Sequence, residues 1–230
     1  MGMVRTAAEQ PPFVPFRDHG RDRNGKRDAV LRTAASLFLE LGYRGTRLDD
    51  VAKRLKITKP ALYNYFQNKE EILFECYRLG IEMTLEGLRS SALRHGTGLE
   101  RLRVAFHAYV IVMAQPFGMC LARVDDLELS EDARARVRKD KRKLDRRFRG
   151  LVEEGIRDGS IAPCDPKLAA FTLAGSANWI SHWYRPEGKW NPEALGDRMC
   201  EQLFEGLAAR KRAPVTPRAV AQRVRKKVAP

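Results

Sequence analysis

Hydrophobic residues recur along most of the chain at intervals of three and four, which is the period of an amphipathic α-helix. The first run, at 30–41, is followed by Gly42, and glycine commonly ends helices. No convincing run alternates with the period of two that a half-buried strand requires. The pattern therefore predicts an all-α fold of about nine helices, at 30–41, 46–55, 58–66, 69–93, 99–115, 120–127, 130–157, 166–184 and 192–209.

The second and third of these helices are short and are joined by a tight turn. Thr46 with Asp49 three positions later is a variant of the capping box, so a helix is expected to begin there. Thr58 is the predicted N-cap of the next helix, and Pro60 falls in its first turn, where a missing N–H costs little. Two such helices form a helix–turn–helix, whose second helix can enter the major groove of DNA.

Polar side chains on this motif suit contact with DNA. Lysine can donate to guanine and asparagine can pair with adenine, while hydroxyls, lysines and helix N-termini donate to phosphates. The candidate DNA-binding residues are Thr46, Arg47, Thr58, Lys59, Pro60, Tyr63, Asn64, Tyr65 and Lys69. The alternative is an ordinary helical hairpin with solvated lysines, in which Tyr63 and Tyr65 belong to the core.

The same stretch contains GYRGT at 42–46, LDDVA at 48–52, TKPALYNYF at 58–66 and NKEE at 68–71. These segments resemble the DNA-binding end of the TetR family of bacterial repressors. The resemblance covers about residues 27–75, and the helical remainder has the length expected of that family. It implies a homodimeric repressor with one helix–turn–helix per subunit on a pseudo-palindromic operator. One departure is Lys56, where the family often has glycine; a positive φ there would strain a lysine.

A pairing surface is predicted in the last two helices. Small residues on the helix at 166–184 allow helix axes to approach, and the final helix has an apolar stripe. The candidate dimer-interface residues are Ala170, Ala174, Ala177, Asn178, Met199, Leu203 and Leu207. The alternative is that these residues pack within one chain.

A second, narrower resemblance lies at about 155–188. It comprises a Glu-Gly-x-x-x-Gly-x-Ile pattern, Asp165-Pro166, and the run from Asn178 to Gly188. The segment is similar to the ligand domain of TetR-family regulators of fatty-acid, aromatic-acid and sterol breakdown. Several of those respond to acyl-CoA thioesters. The resemblance therefore implies a small lipophilic effector, an acyl-CoA thioester or another aromatic or lipophilic compound.

An aromatic and aliphatic stripe at 106–117 could line a slot for an acyl group, and a basic run at 134–149 could hold phosphates at its mouth. The candidate effector-binding residues are Phe106, Tyr109, Val110, Met113, Phe117, Arg146, Trp179, Trp183 and Arg185. Alternatively, the stripe is plain core and the basic run is a solvated helix face. The two tryptophans could equally pack in the core or an interface, and Arg185 could cap a helix C-terminus.

The net charge is +14, of which residues 1–27 contribute +3 and residues 208–230 contribute +8. Most of the basic excess therefore lies in the two ends, and the tails are expected to add salt-sensitive DNA affinity without choosing sequence. The predicted organisation is a flexible basic arm at 1–25, a DNA-binding domain at 26–72, a ligand-binding and dimerisation domain at 73–209 and a flexible basic tail at 210–230.

Catalytic and metal-binding patterns are not evident. The four cysteines form no CxxC pair and the four histidines no ligand pattern, so neither a disulfide, a metal site nor a cofactor is expected. The remaining enzyme hypothesis is a thioester hydrolase that uses Cys120 or Cys164 with a histidine. The sequence lacks a leader-like apolar region and a membrane-length apolar stretch, which predicts a cytoplasmic protein without membrane contact.

Overall fold

The computed structural model describes residues 23–89 and 95–206, and in this part of the chain it contains nine α-helices, one 3-10 turn and no strand. The all-α expectation is confirmed. The helices are α1 (Arg23–Leu41), α2 (Leu48–Leu55), α3 (Lys59–Tyr63), α4 (Lys69–Gly87), α5 (Gly98–Met113), α6 (Pro116–Arg123), α7 (Glu131–Arg157), α8 (Pro166–Trp183) and α9 (Pro192–Glu205).

Helices α1 to α3 and the start of α4 form the N-terminal part around one apolar core. Val30 and Leu31 of α1, Leu62 of α3 and Ile72 of α4 are completely buried in it. Helix α4 continues without a break past residue 72, where a domain boundary is predicted from the sequence. The same rigid helix therefore belongs to the helix–turn–helix at its N-terminus and to the C-terminal body at its other end.

The C-terminal body is built around α5, which packs against every helix from α4 to α9. Helix α6 begins at Pro116, earlier than the piece expected at 120–127, because proline is well accommodated at the first helical position. A Cβ at Gly118 would overlap the carbonyl of Val112, so glycine allows α6 to approach the end of α5. A 3-10 turn at Asp126–Glu128 then leads into α7.

Several sequence-based predictions lie outside the described residues. They are the tail at 210–230, most of the arm at 1–25, and Leu207 of the predicted dimer interface; α1 already begins at Arg23. Within the described ranges no single helix is long and apolar enough to cross a membrane. Helices α5 and α6 have that composition only when taken together, and they meet at 91°.

Candidate DNA-binding face and effector cavity

The apolar side of helix α3 packs in the core, and its polar side faces solvent. The Thr58 hydroxyl accepts a hydrogen bond from the backbone N–H of Ala61 at 3.3 Å, which caps the helix as expected. Leu62 is completely buried, whereas Tyr63 is 47% exposed and Asn64 is exposed. Tyr63 is therefore a surface residue of α3, and its alternative placement in the core is wrong.

Lys59, at the start of the outward face of α3, is engaged in an ion pair. Its ammonium donates to the Asp49 carboxylate of α2 at 3.1 Å, and this partner raises the pKa of Lys59. Both side chains are half exposed to solvent. An ion pair in that setting contributes little stability, so the lysine can exchange Asp49 for a DNA acceptor at small cost.

Two of the candidate DNA-binding residues, Thr46 and Lys69, form hydrogen bonds within the protein. The Thr46 side chain is 1% exposed, and its hydroxyl lies 3.1 Å from the Leu37 carbonyl and 2.9 Å from the Gly42 carbonyl. The Lys69 ammonium donates to the carbonyls of Tyr43 at 2.8 Å and Thr46 at 3.0 Å. Both side chains thus secure the α1–α2 turn, and burial lowers the pKa of Lys69.

The start of α2 differs from the sequence-based expectation, whereas its end agrees with it. Because the Thr46 hydroxyl is turned inward, the N-cap is Arg47, whose N–H donates to the Asp50 carboxylate at 2.9 Å. Arg47 itself remains exposed, as do Thr58 and Pro60, and Tyr65 is partly buried. At the other end of α2, Lys56 has φ 54°, the left-handed conformation anticipated for a position that favours glycine.

A cavity of about 310 Å³ opens between α5, α6, α7 and α8. Its polar groups include Tyr109, whose hydroxyl donates to the Asn178 side-chain carbonyl at 2.6 Å. Burial raises the pKa of Tyr109, so this hydroxyl remains a donor. The lining consists of Tyr109, Leu121, Ala122, Lys141, Leu144, Asp145, Phe148, Ala170, Phe171, Ala174 and Asn178.

Of the nine predicted effector residues, Tyr109 lines this cavity. Core packing accounts for four others, because the α5 and α6 stripe faces the interior: Phe106, Val110, Met113 and Phe117 are buried. Trp179 and Trp183 of α8 are exposed and do not line the cavity. The guanidinium of Arg185 donates to the Tyr184 carbonyl at 3.0 Å, as a C-terminal cap would. Apart from Tyr109, none of these predicted effector residues is among those that line this cavity.

Arg146 lines a different cavity, of about 360 Å³, with Arg101, Arg147 and Glu154. The basic run of α7 is therefore distributed around the helix rather than gathered at one mouth. Sequence reasoning missed Lys141, Leu144, Asp145 and Phe148 as cavity residues. A usable signal existed, because positions 141, 144, 145 and 148 have the spacing of a single helix face.

The predicted dimer residues divide between two sides of α8. Ala170 and Ala177 are buried within the chain, while Ala174 and Asn178 line the cavity together with Ala170. Ala170, Ala177 and Asn178 therefore do not form an outer surface. On α9, Met199 is partly buried and Leu203 is exposed. The exposed apolar face of α8 is instead formed by Leu168, Phe171, Trp179 and Trp183.

Comparison with known proteins identifies the family to which this architecture belongs. Residues 30–76 match the model for bacterial regulatory proteins of the tetR family, and residues 95–207 match the tetracyclin repressor-like C-terminal domain. A TetR/AcrR-family transcriptional regulator from Thermobifida fusca is 30% identical, with a TM-score of 0.61, 81% of this chain covered and 100% of that chain.

Two further similar proteins bear on the function of this fold. The HTH-type transcriptional repressor KstR2 of Rhodococcus jostii is 27% identical over 85% of this chain and 97% of its own length. AibR, solved in complex with isovaleryl coenzyme A and operator DNA, is 28% identical, with a TM-score of 0.68, 79% of this chain covered and 100% of that chain. On these matches, the chain belongs to the TetR family of bacterial transcriptional regulators.

Proposed function

We propose that the protein is a repressor that binds a pseudo-palindromic operator as a homodimer and releases it when a small lipophilic effector binds. The observation that carries this proposal is the outward face of α3. There Lys59, Tyr63 and Asn64 are exposed on a short helix whose other side is buried in the core. Lysine and asparagine can read base edges, and the exposed Arg47 can reach phosphates.

The 310 Å³ cavity supports an effector with an acyl or aromatic end. Leu144, Phe148 and Phe171 supply apolar walls, while Tyr109 and Asn178 supply polar groups. This volume lies at the lower end of the range for small-molecule sites, about 300–1,000 Å³. It suits an acyl chain, and the much larger CoA group of a thioester would extend outside. The relative AibR, solved with isovaleryl coenzyme A, supports a thioester; the alternative is a lipophilic effector without CoA.

The exposed face of α8 supports homodimerisation. Leu168, Phe171, Trp179 and Trp183 form an apolar stripe that a single chain leaves in water. Stripes of this kind mark association sites, and a two-fold axis would pair the stripe with its own copy. Each subunit would then contribute one reading helix to a two-fold operator.

Effector control requires two arrangements of the dimer that differ in the spacing of their reading helices. The effector can shift this equilibrium only by its difference in affinity for the two arrangements. Helix α4 connects the effector cavity's domain to the DNA-binding part, because its N-terminus is packed in the helix–turn–helix and its remainder packs against α5, α6 and α7. A small tilt of α4 would therefore change the position of α3.

The test is fluorescence anisotropy on the DNA upstream of the protein's own gene, compared with scrambled DNA, with and without a panel of CoA thioesters. We expect saturable, sequence-selective binding that one thioester releases and free CoA does not. Specific binding that no thioester disturbs would retain the repressor and reject the CoA effector. Equal binding to scrambled DNA would contradict recognition of this operator.

Matched variants make the DNA result specific to α3. Lys59→Ala and Asn64→Ala are expected to reduce the preference for upstream over scrambled DNA about tenfold, because each good base contact is worth about 1–3 kcal/mol. Lys167→Ala, an exposed lysine at the start of α8, should leave that preference unchanged. Recovery of intact thioester after incubation would also weigh against a hydrolase. Burial raises the pKa of Cys120 to about 12, which opposes this thiol as a nucleophile, so the incubation chiefly tests the exposed Cys164.

A further inference from the structure

Among the residues that line the 310 Å³ cavity, Lys141 carries the positively charged side chain. The other charged lining residue, Asp145, is held by a two-pronged ion pair with Arg149 one turn further along α7. The Lys141 ammonium lies 4.8 Å from the ring centre of Tyr77 and 3.7 Å from the carboxylate of Asp126. A 3.7 Å ion pair is longer than a hydrogen bond, so the Lys141 ammonium has donor capacity that Asp126 does not use.

Asp126 belongs to a segment that we call the connector, residues 124–130 between α6 and α7. The connector is fastened to the DNA-binding part by two polar contacts. The Arg44 guanidinium donates to Glu128 at 2.8 Å, and the N–H of Ser130 donates to Glu70 at 2.8 Å. Arg44 is 88% exposed, so its ion pair is weak by itself, but the Glu128 carboxylate is only 21% exposed and also attracts the Lys69 ammonium at the start of α4. Arg44 lies in the α1–α2 turn and Glu70 lies in the first turn of α4. The connector thus touches both ends of the helix–turn–helix.

The connector also contacts α4 and α7, and one of these contacts is with the cavity-lining Lys141. Asp126 accepts from Arg138 of α7 at 2.7 Å in addition to pairing with Lys141. The Tyr77 hydroxyl donates to the Val124 carbonyl, so the ring beneath Lys141 is tied to the same segment. One three-residue turn, Asp126–Glu128, therefore holds a cavity-lining lysine at its first residue and an arginine of the DNA-binding part at its last.

We propose that Lys141 binds the acyl head-group oxygen of the effector, and that its exchange of Asp126 for this oxygen transmits binding through the connector to the α1–α2 turn. The inference rests on the proposed function and adds the effector's chemistry and the route of its action. The shared chemistry is an oxygen acceptor at the end of an apolar chain. A free carboxylate and a thioester carbonyl both supply it.

Electrostatics favour an acceptor over a cationic ligand at this position. Asp145 is already compensated by Arg149, whereas the carboxylate nearest to Lys141 is Asp126, at a long distance and shared with Arg138. Burial lowers the pKa of Lys141 and Asp126 counteracts it, so the group benefits from a second acceptor. Because a lysine is a single ammonium at the end of a flexible stem, turning it toward the cavity weakens its hold on the connector.

The first experiment measures thermal stabilisation of the full chain by octanoate, octanoyl-CoA and octylamine. These probes share a chain length, and octylamine carries the opposite charge to octanoate. We expect octanoate, octanoyl-CoA or both to stabilise the wild type more than octylamine does. The stronger of the two identifies the source of the acceptor. Failure of both to stabilise the wild type would overturn the proposal.

Lysine variants on α7 locate the acceptor site. Lys141→Met should weaken binding of the stabilising probe at least tenfold, while Lys141→Arg should retain it within about threefold. The control is Lys143→Met, two residues along the same helix, where the lysine pairs with Asp140 at 2.7 Å outside the cavity lining. An unchanged affinity of a folded Lys141→Met protein would overturn the assignment.

The second experiment tests transmission on the upstream DNA fragment. Glu128→Gln removes the charge that holds Arg44 without touching the cavity, so probe affinity should stay within twofold. Release of DNA by the stabilising probe should weaken about fivefold. The control Glu131→Gln lies exposed at the start of α7 and should behave as the wild type. Normal release by Glu128→Gln would overturn the route. A wild type that lacks selective DNA binding would instead overturn the proposed function, whatever the probes do.

Discussion

Single residues in the helix–turn–helix show where backbone geometry overrides side-chain preference. Lys56 ends α2 in the left-handed region at φ 54°, which costs an ordinary L-residue roughly 1–2 kcal/mol. We therefore expect Lys56→Gly to stabilise the fold by about 1 kcal/mol, measured by chemical denaturation. The matched control is Lys53→Gly, exposed within α2, which should destabilise by about 1 kcal/mol. Destabilisation by Lys56→Gly would show that its side chain contributes more than the backbone costs.

Thr46 tests whether a residue of this motif acts by folding or by contact with DNA. Its buried hydroxyl has only backbone carbonyls within reach, those of Leu37 and Gly42. Thr46→Val should lower the free energy of unfolding by about 1 kcal/mol, the usual contribution of one hydrogen bond. Thr46→Ser keeps the hydroxyl and should recover most of that loss. The salt dependence of DNA binding should not change in either variant, whereas a reduced slope would indicate a lost phosphate contact.

At the scale of the helix, sequence pattern predicts existence and type better than orientation. The 3.6-residue period, the N-cap Thr58 and Pro60 in the first turn correctly predicted a helix at α3, because those signals are local. Which face of α8 points inward depends on the packing of α5, α6 and α7, and a single sequence does not contain that information. Small residues such as Ala170 and Ala177 fit an interhelical contact inside one chain as well as between two chains.

The same ambiguity explains the effector site. An apolar stripe on α5 predicts burial, and burial alone does not distinguish a filled core from a cavity wall. The cavity lies between α5, α6, α7 and α8, and its wall includes Lys141 and Asp145, charged residues that hydrophobic periodicity does not select. The interior of α5 was thus predictable as apolar, while the place at which packing leaves space was not.

The exposed face of α8 supplies a prediction at this scale. If the exposed face of α8 pairs two chains as proposed, Trp179→Asp should convert the homodimer to a monomer, because a charge on the apolar stripe would be desolvated on association. Light scattering coupled to gel filtration measures the mass directly. Leu127→Asp is a suitable control, since Leu127 is 63% exposed, as is Trp179, but lies in the 3-10 turn. A wild-type mass for Trp179→Asp would place the interface elsewhere.

At the scale of the whole molecule, most of the excess positive charge lies away from the outward face of α3. Residues 208–230 contain eight basic and no acidic residues, while residues 1–22 contain three of each. The helix–turn–helix itself carries compensated lysines and arginines, such as Lys59 with Asp49 and Arg54 with Glu40. We therefore expect most of the salt-dependent affinity to come from the tail and the base selectivity to come from α3.

This separation can be tested with two truncations of nearly equal length. Each phosphate neutralised contributes a slope of about −0.9 to the logarithm of affinity against the logarithm of salt concentration. Removal of residues 208–230 should therefore flatten the slope by several units and leave the preference for the upstream sequence intact, measured by anisotropy at four or more salt concentrations. Removal of residues 1–22, which have no net charge, should change the slope little. If the first truncation abolished the sequence preference, the tail would take part in recognition, and α3 alone would not account for it.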